Sequence, residues 1–362
     1  SVDPFLLIRK LFIDYGYSKF TKIINKLFLV FHSVVFLLQA HYIISNFSLD
    51  FLARYGCMMT FTAYILNQGM TNMSCSIIIE AKSWKILNDH LNSGWSIDSA
   101  GQKARKAILK KAKIFNNFSY LLFVFFAIKT IIMYPAFGGE NELILCVEVF
   151  DKHFGTFSKI PYFFYFASLP FFSYSCLRLC YVMTYATLQM QVQTFLICEH
   201  IGQISIGYDN DDELKKRHGI CYQEDICKRL SFCIKHHIIL KRIIKKLANL
   251  AQPCMIVLLT VSVPCMIGIL SFILYYIEDA SNILKIRLAC MTTCILLIMY
   301  MFCKSGQALF DETSCIFDTL VNCPWYIWNA KNRKILLIFL INSLEPLKFS
   351  FAGITLDYRL AV

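Results

Sequence analysis

Apolar runs separated by short basic connections give the chain its organisation. Six runs stand out, at residues 27–47, 57–79, 115–137, 161–197, 250–277 and 288–303. A helix needs about 20 mostly apolar residues to cross the ~30 Å hydrocarbon layer of a bilayer, so each run predicts a membrane-spanning helix. The fourth run exceeds what any bilayer requires, and its end is expected to project into water. The sixth is short and is expected to begin nearer Ile283. A seventh run, 335–356, is interrupted by Asn342, Glu345, Pro346 and Lys348 and is the weakest of the set.

The charged positions orient these spans. Cytosolic connections carry an excess of Lys and Arg. The segment up to Lys26 and the connections 80–113, 198–249 and 304–334 hold 5, 8, 10 and 4 such residues, 27 in all. The three alternate connections hold 5 between them: Arg54, Lys152, Lys159, Lys285 and Arg287. A loop-by-loop alternation of this size predicts a cytosolic N-terminus. It excludes a G-protein-coupled receptor, whose seven spans begin outside the cell and which carries a D-R-Y tripeptide after its third span. Asn46-Phe47-Ser48 is a glycosylation acceptor pattern at the outer end of the first span, while Asn72-Met73-Ser74 and Asn117-Phe118-Ser119 fall in or at the inner end of spans and read as chance. Residues 138–157, with Glu140, Glu142, Glu148 and Asp151, read as a solvated acidic loop.

Composition agrees with the pattern. Of 362 residues, 57% are hydrophobic and 17% charged, where a soluble domain carries about 25% charged residues. A water-soluble globule must cover its core with polar groups, and lipid removes that requirement. The 32 Phe and 19 Tyr suit a bundle whose packing and interfacial belts use aromatic rings. The net charge of +12 is spread between the spans and forms no basic domain, which argues against nucleic acid. Sixteen cysteines do not make a disulfide scaffold in a chain this long. Cys176, Cys180, Cys254, Cys265, Cys290 and Cys294 lie inside apolar runs and read as small packing residues, and no zinc spacing predicts a metal site.

Catalysis finds little support. Adjacent His236 and His237 lie among lysines with no H-E-x-x-H pattern, and no Gly-rich phosphate loop or intramembrane carboxylate pair occurs. The run Asp209-Asn210-Asp211-Asp212-Glu213, followed by Lys215-Lys216-Arg217, lacks the Gly and Glu of an EF-hand loop and reads as a solvated loop. Lys241-Arg242-Ile243-Ile244-Lys245-Lys246-Leu247 is a basic amphipathic lead-in to the fifth span, able to touch anionic lipid. Lys129 sits within the third span, where charge costs about 2.5–3.5 kcal/mol on insertion scales. That makes it a functional candidate, with snorkelling toward the outer interface as the alternative. Arg178, in the long fourth span, reads as structural.

The C-terminal stretch carries a family motif. It runs Gly306-Gln307, Phe310-Asp311-Glu312-Thr313, Cys323-Pro324-Trp325-Tyr326, Lys331-Asn332-Arg333-Lys334-Ile335-Leu336-Leu337-Ile338, Glu345-Pro346-Leu347-Lys348 and Ala352-Gly353. Order and spacing after six oriented spans resemble the signature of insect odorant receptors, with Cys-Pro-Trp and Asn-Arg most like those of moths. The motif covers about 50 residues, with Trp325, Arg333, Pro346 and Gly353 as its anchor positions; elsewhere the match is in span number, loop lengths and orientation. Glu345 departs from the basic or neutral polar residue more usual there.

The resemblance implies an all-α membrane protein, a helical bundle of six spans plus a seventh that is cut short. It implies a subunit of an odorant-gated, non-selective cation channel in the plasma membrane, assembled with an odorant co-receptor into a heterotetramer and needing no cofactor. The corresponding division is a cytosolic segment 1–26, spans one to four with an outer ligand-pocket region over 27–197, a cytosolic loop 198–249, spans five and six over 250–303, and an anchor region with the start of span seven over 304–362. Family members continue for about one more helix, which forms the pore wall, so the expectation is a chain that stops before its gate.

A pocket for a small hydrophobic volatile ligand needs apolar walls and a few hydrogen-bonding groups. Span direction places Met58, Met59, Phe61, Phe126, Thr130, Met133, Tyr134, Tyr162, Phe166, Ser168 and Phe171 in the outer halves, with Pro170 able to bend the fourth span. From these, Met59, Phe126, Thr130, Tyr134, Phe166 and Phe171 are the candidate pocket, against the alternative of ordinary helix packing. Two other functions stay open: a gustatory-type ligand-gated channel, which shares the topology, and a six-span transporter or scaffold.

Overall fold

The computed structural model describes residues 3–52 except 17, then 54–56, 58–60, 62–63, 66, 94–138, 144–205, 219–278, 280–346, 348, 350–351 and 354–355. Most of the second predicted span, Phe61, the patterns at Asn72 and 209–217, Glu140, Glu142 and Gly353 lie outside these residues. The described chain is helical but for one short antiparallel pair. Its elements are α1 (Leu6–Ile8), continued by a π-helical turn Arg9–Asp14, then α2 (Lys19–Ser45), α3 (Gln102–Ile132), α4 (Cys146–Phe154), α5 (Lys159–Gly202), α6 (Ile220–Tyr276), α7 (Asn282–Val321) and α8 (Ala330–Ser343). The pair β1 (Ser350–Phe351) and β2 (Ile354–Thr355) follows, and helical residues also occur between 49 and 66.

Local chemistry sets the helix starts. The side chains of Ser18, Ser281 and Asn329 accept hydrogen bonds from the backbone N–H groups of Thr21, Leu284 and Asn332, each serving as an N-cap. At the far end of α2, the Asn46 amide donates to the Tyr42 carbonyl at 2.9 Å. Gly155, at φ +50°, takes a positive-φ backbone that a side chain would disfavour and ends α4.

Helices α2, α3, α5 and α7 are each long and apolar enough to cross a membrane, and Met266–Tyr276 ends α6 with a shorter apolar stretch. α5 has 44 residues, about 66 Å at 1.5 Å per residue, so roughly half of it extends beyond a ~30 Å hydrocarbon layer. α7 starts at Asn282, within a residue of the start expected at Ile283. The 198–249 connection is helical from Ile220, because its basic segment continues the register of the fifth span without a breaker; α6 thus reaches 57 residues. The seventh run does not form one continuous helix. α8 stops at Ser343, two residues ahead of Glu345-Pro346, and the chain then turns into β1 and β2. Proline lacks an N–H and disfavours helical backbone in the residue before it.

The burial pattern of α2 shows what surrounds the bundle. Ile23, Leu27, Val30, Val34 and Leu37, three or four residues apart, and Ile44 seven residues on, are each at least 52% exposed. Thr21, His32, Gln39 and Tyr42 face inward. Apolar side chains outside and polar ones inside is the arrangement that lipid selects. Val263, Ile267, Leu270 and Leu274 repeat the exposed stripe on α6.

The described parts of the basic connections meet at one end of the bundle, hereafter the basic end, where Gln203 donates to the Ala100 carbonyl, Arg229 to the Gln203 carbonyl and Lys241 to the Asn342 carbonyl. There the N-terminal segment inserts Phe5, Ile8, Phe12 and Ile13 into the core. The Asp3 carboxylate accepts from Tyr185 (2.7 Å) and Gln189 (2.9 Å), and Phe12 stacks on Tyr181 with centroids 4.1 Å apart. α5 packs along α7 and α6, and α8 along both α6 and α7. Trp328 and Asn332 are fully buried: Asn332 donates to the side-chain and backbone oxygens of Gln223 on α6, and Gln223 donates to the Ile327 carbonyl.

Candidate functional site

The end opposite the basic one holds the candidate pocket. α3 supplies Phe126, Lys129 and Thr130 on one buried face, and α5 supplies Tyr165, Phe166, Ser168 and Ser173. The Thr130 hydroxyl donates to the Phe126 carbonyl at 2.8 Å, the usual back-bond of a helical threonine, and lies 2.8 Å from Ser173 Oγ across the helix pair. Phe126 and Phe166 belong to one cluster with Met133, Tyr165, Ile144 and Phe150, and half-buried Tyr134 packs against it. Rings crowd the α5 side, with Tyr162 to Phe166 at 4.8 Å and Tyr165 to Phe166 at 5.5 Å.

Thr130 thus meets α5 at Ser173, with Phe126 one turn before it and Tyr134 just past the end of α3, while Phe166 stands two turns from Ser173 along α5. Met59 packs in a separate cluster around Tyr42, Ile43, Tyr55, Leu145 and Val149, and its neighbour Met58 packs on the larger one. Phe171 faces α2, its ring 5.1 Å from that of Phe28. Lys129 is enclosed by protein beside Thr130, within electrostatic range of the Cys294 thiol on α7. α4 closes the top of this region by burying Cys146, Val149 and Phe150. Tyr42 of α2 donates to Glu148 of α4 at 2.7 Å, and Lys152 sits 4.5 Å over the Tyr42 ring.

Three contributors escape the sequence pattern. Ser173 reads as one more small residue in an apolar run and gains significance only through Thr130. His32 lies 2.7 Å from Ser168 Oγ, which itself donates to the Tyr165 carbonyl at 2.6 Å. A histidine inside an apolar run is a signal by itself, since ionisable groups in spans are costly. Arg287 counts in the sequence as a loop charge. It is fully buried, and its Nε and Nη2 donate to the carbonyls of Ile132 (3.1 Å) and Tyr134 (3.0 Å) at the end of α3.

The anchor positions of the motif separate in space. Arg333 donates from Nε to the Trp328 carbonyl at 2.7 Å, Trp325 stands exposed, and Pro346 lies just past α8. Trp328, three residues past Trp325, is the buried indole of this region.

Lipid-facing stripes, inward polar groups and an aromatic cluster crossed by a hydroxyl pair define a multi-pass α-helical membrane protein. A family model described as 7tm Odorant receptor matches residues 74–361, and the chain belongs to that family. The fold is similar to that of the insect olfactory receptor OR5 from Machilis hrabei, at a TM-score of 0.74 and 12% identity over 95% of this chain and 86% of that one. The same receptor in complex with eugenol matches at a TM-score of 0.64 and 11% identity, with the same coverage. No curated protein matches the chain.

Proposed function

We propose that this odorant receptor is the ligand-binding subunit of an odorant-gated, non-selective cation channel, working in the plasma membrane with a co-receptor and with its N-terminus cytosolic. The observation that carries the ligand site is the Thr130–Ser173 hydroxyl pair set among buried aromatics. An apolar cluster with few polar groups suits a small hydrophobic volatile, since the walls supply burial and the hydroxyls fix orientation. Phe126, Thr130, Tyr134 and Phe166 form the core of the proposed pocket, with Met59 and Phe171 at neighbouring positions. The receptor whose structure was solved in complex with eugenol supports a ligand of this class by analogy of fold. The anchor positions Trp325, Arg333, Pro346 and Gly353 belong to the proposed assembly region. Ligand favours conduction only by binding the open state more tightly than the closed one.

The test is the current evoked by a panel of volatiles in cells expressing the chain with an odorant co-receptor. Thr130→Val keeps the shape and removes the hydroxyl, and is expected to raise the half-maximal concentration about fivefold for about 1 kcal/mol of hydrogen bonding. Silence across the panel, with the chain shown at the cell surface, would remove the channel reading.

A further inference from the structure

We propose that the groove between the start of α6 and the start of α8, at the basic end, binds a soluble purine nucleoside monophosphate, with the base on Phe232 and the phosphate on Lys228, Lys235 and Lys331. The proposal does not depend on the chain gating a current.

Charge and size fit such a ligand. The groove has a volume of about 970 Å³, at the upper end of the roughly 300–1,000 Å³ of small-molecule sites. Its lining holds those three lysines against one carboxylate, Glu224, a net charge of +2. A phosphate monoester carries about −1.5 to −2 at pH 7, so the lining complements one such group. Lys228 and Lys235 stand four residues before and three residues after Phe232 on α6, so the three side chains share a helix face. Lys331 lines the groove from the first turn of α8.

Phe232 supplies the platform. It lines the groove and is 50% exposed. The Trp95 ring lies parallel to it, with centroids 4.5 Å apart at 9°, and also stacks on His236 at 4.1 Å and 12°. Gln193 of α5 holds Trp95 in place, accepting from its backbone N–H at 2.8 Å and donating to its carbonyl at 3.1 Å. A ring fixed in this way is ordered before a base stacks on it, so little further entropy is lost on binding.

Asn332 supplies a polar contact for the base. It is fully buried and lines the groove. Its Nδ2 donates to the backbone and side-chain oxygens of Gln223 at 2.8 and 3.0 Å. Both partners are acceptors, which fixes the amide orientation and leaves Oδ1 with no hydrogen-bond partner among the described residues. A buried acceptor left unpaired is costly, and the exocyclic amine of a purine satisfies it. Lysines, ring and amide oxygen thus match three parts of one molecule. An acidic peptide would leave the ring unused. A lipid headgroup is out of reach, because the fifth apolar run begins at residue 250, 15 residues beyond Lys235 and about 22 Å further along α6.

The experiment measures the Tm of the full chain in phosphatidylcholine nanodiscs, which carry no anionic headgroup to compete, titrated with AMP, adenosine or inorganic phosphate. AMP is expected to raise the Tm at concentrations where adenosine and phosphate do not, since only AMP engages both halves of the groove. Phe232→Leu should weaken the apparent AMP affinity about tenfold, in line with the loss of a stacked base. Photolabelling of the wild-type chain with 8-azido-AMP should mark peptides from the start of α6 or α8. A Tm that AMP leaves unchanged, a shift that inorganic phosphate reproduces, or a label confined to other peptides overturns the proposal.

Discussion

Gly16 sets how closely the N-terminal segment approaches α5. A Cβ at this position would meet the Phe12 carbonyl oxygen at 2.3 Å, the Tyr174 hydroxyl at 3.0 Å and Arg178 Cδ at 3.1 Å. The backbone oxygen has little room to move, so Gly16→Ala is expected to lower stability by about 1–3 kcal/mol, the usual cost of overpacking. A thermal-unfolding assay in detergent should register it as a reduced Tm. The same contact accounts for Arg178, expected to be structural and found buried beside this glycine. His237, at the basic end, packs on the Phe339 ring at 5.2 Å. Burial, and then the Lys241 charge, lowers its pKa from the ordinary 6.5 to about 4. The unfolded chain then takes up the proton first, so this residue's contribution is complete above about pH 6.5 and is lost as pH falls toward 4. His237→Leu should narrow the Tm difference between pH 7.5 and pH 5, and an unchanged difference would count against the assignment. At this scale the sequence is a partial guide. It marks Thr130 as a hydrogen-bonding wall residue and Trp325 as a motif position, while nothing in it separates exposed Trp325 from buried Trp328 three residues on. Composition names the residue type a site needs but not which of two nearby positions faces inward.

The helices were more legible than their ends. Hydropathy alone located α2, α3, α5 and α7, because a run of apolar residues in lipid leaves the backbone no option but its own hydrogen bonds. How neighbouring helices terminate one another was not legible, since the partners are distant in sequence. Arg287 of α7 meets the carbonyls at the end of α3, and Arg229 of α6 donates to the carbonyls of Gln203 and Ile204 at the end of α5. Lys241 of α6 reaches the Asn342 carbonyl near the end of α8. In each case a cation from one helix meets the negative end of another. Arg287→Met should cost about 3 kcal/mol, because two buried carbonyls lose charged donors. Arg287→Lys should recover only part of that, since a single ammonium replaces a planar fork. Size-exclusion profiles of fluorescently tagged variants after heating would rank the three proteins.

For the whole molecule, the division into a basic end and an aromatic-lined end follows from charge placement, and the fold keeps it. The Asn332–Gln223 cluster and the inserted N-terminal segment hold the basic end together without any apolar-run signal in the sequence. The proposed orientation predicts that exposed Cys221, at the start of α6, reacts with a membrane-impermeant maleimide only after cells are permeabilised. Modification of Cys221 in intact cells would invert the topology. One feature of α2 bears on how the molecule is made. His32 and Ser168, partners in the finished bundle, stand 136 residues apart. At roughly 5–20 residues per second, synthesis takes on the order of ten seconds to pass from one to the other. During that time span one sits in the bilayer with His32 on its flank and no fourth span to cover it. Each nascent chain passes through an interval in which its first helix is the least lipid-compatible part of the protein, and a ribosome stalled there exposes to quality control a surface that the completed receptor never shows.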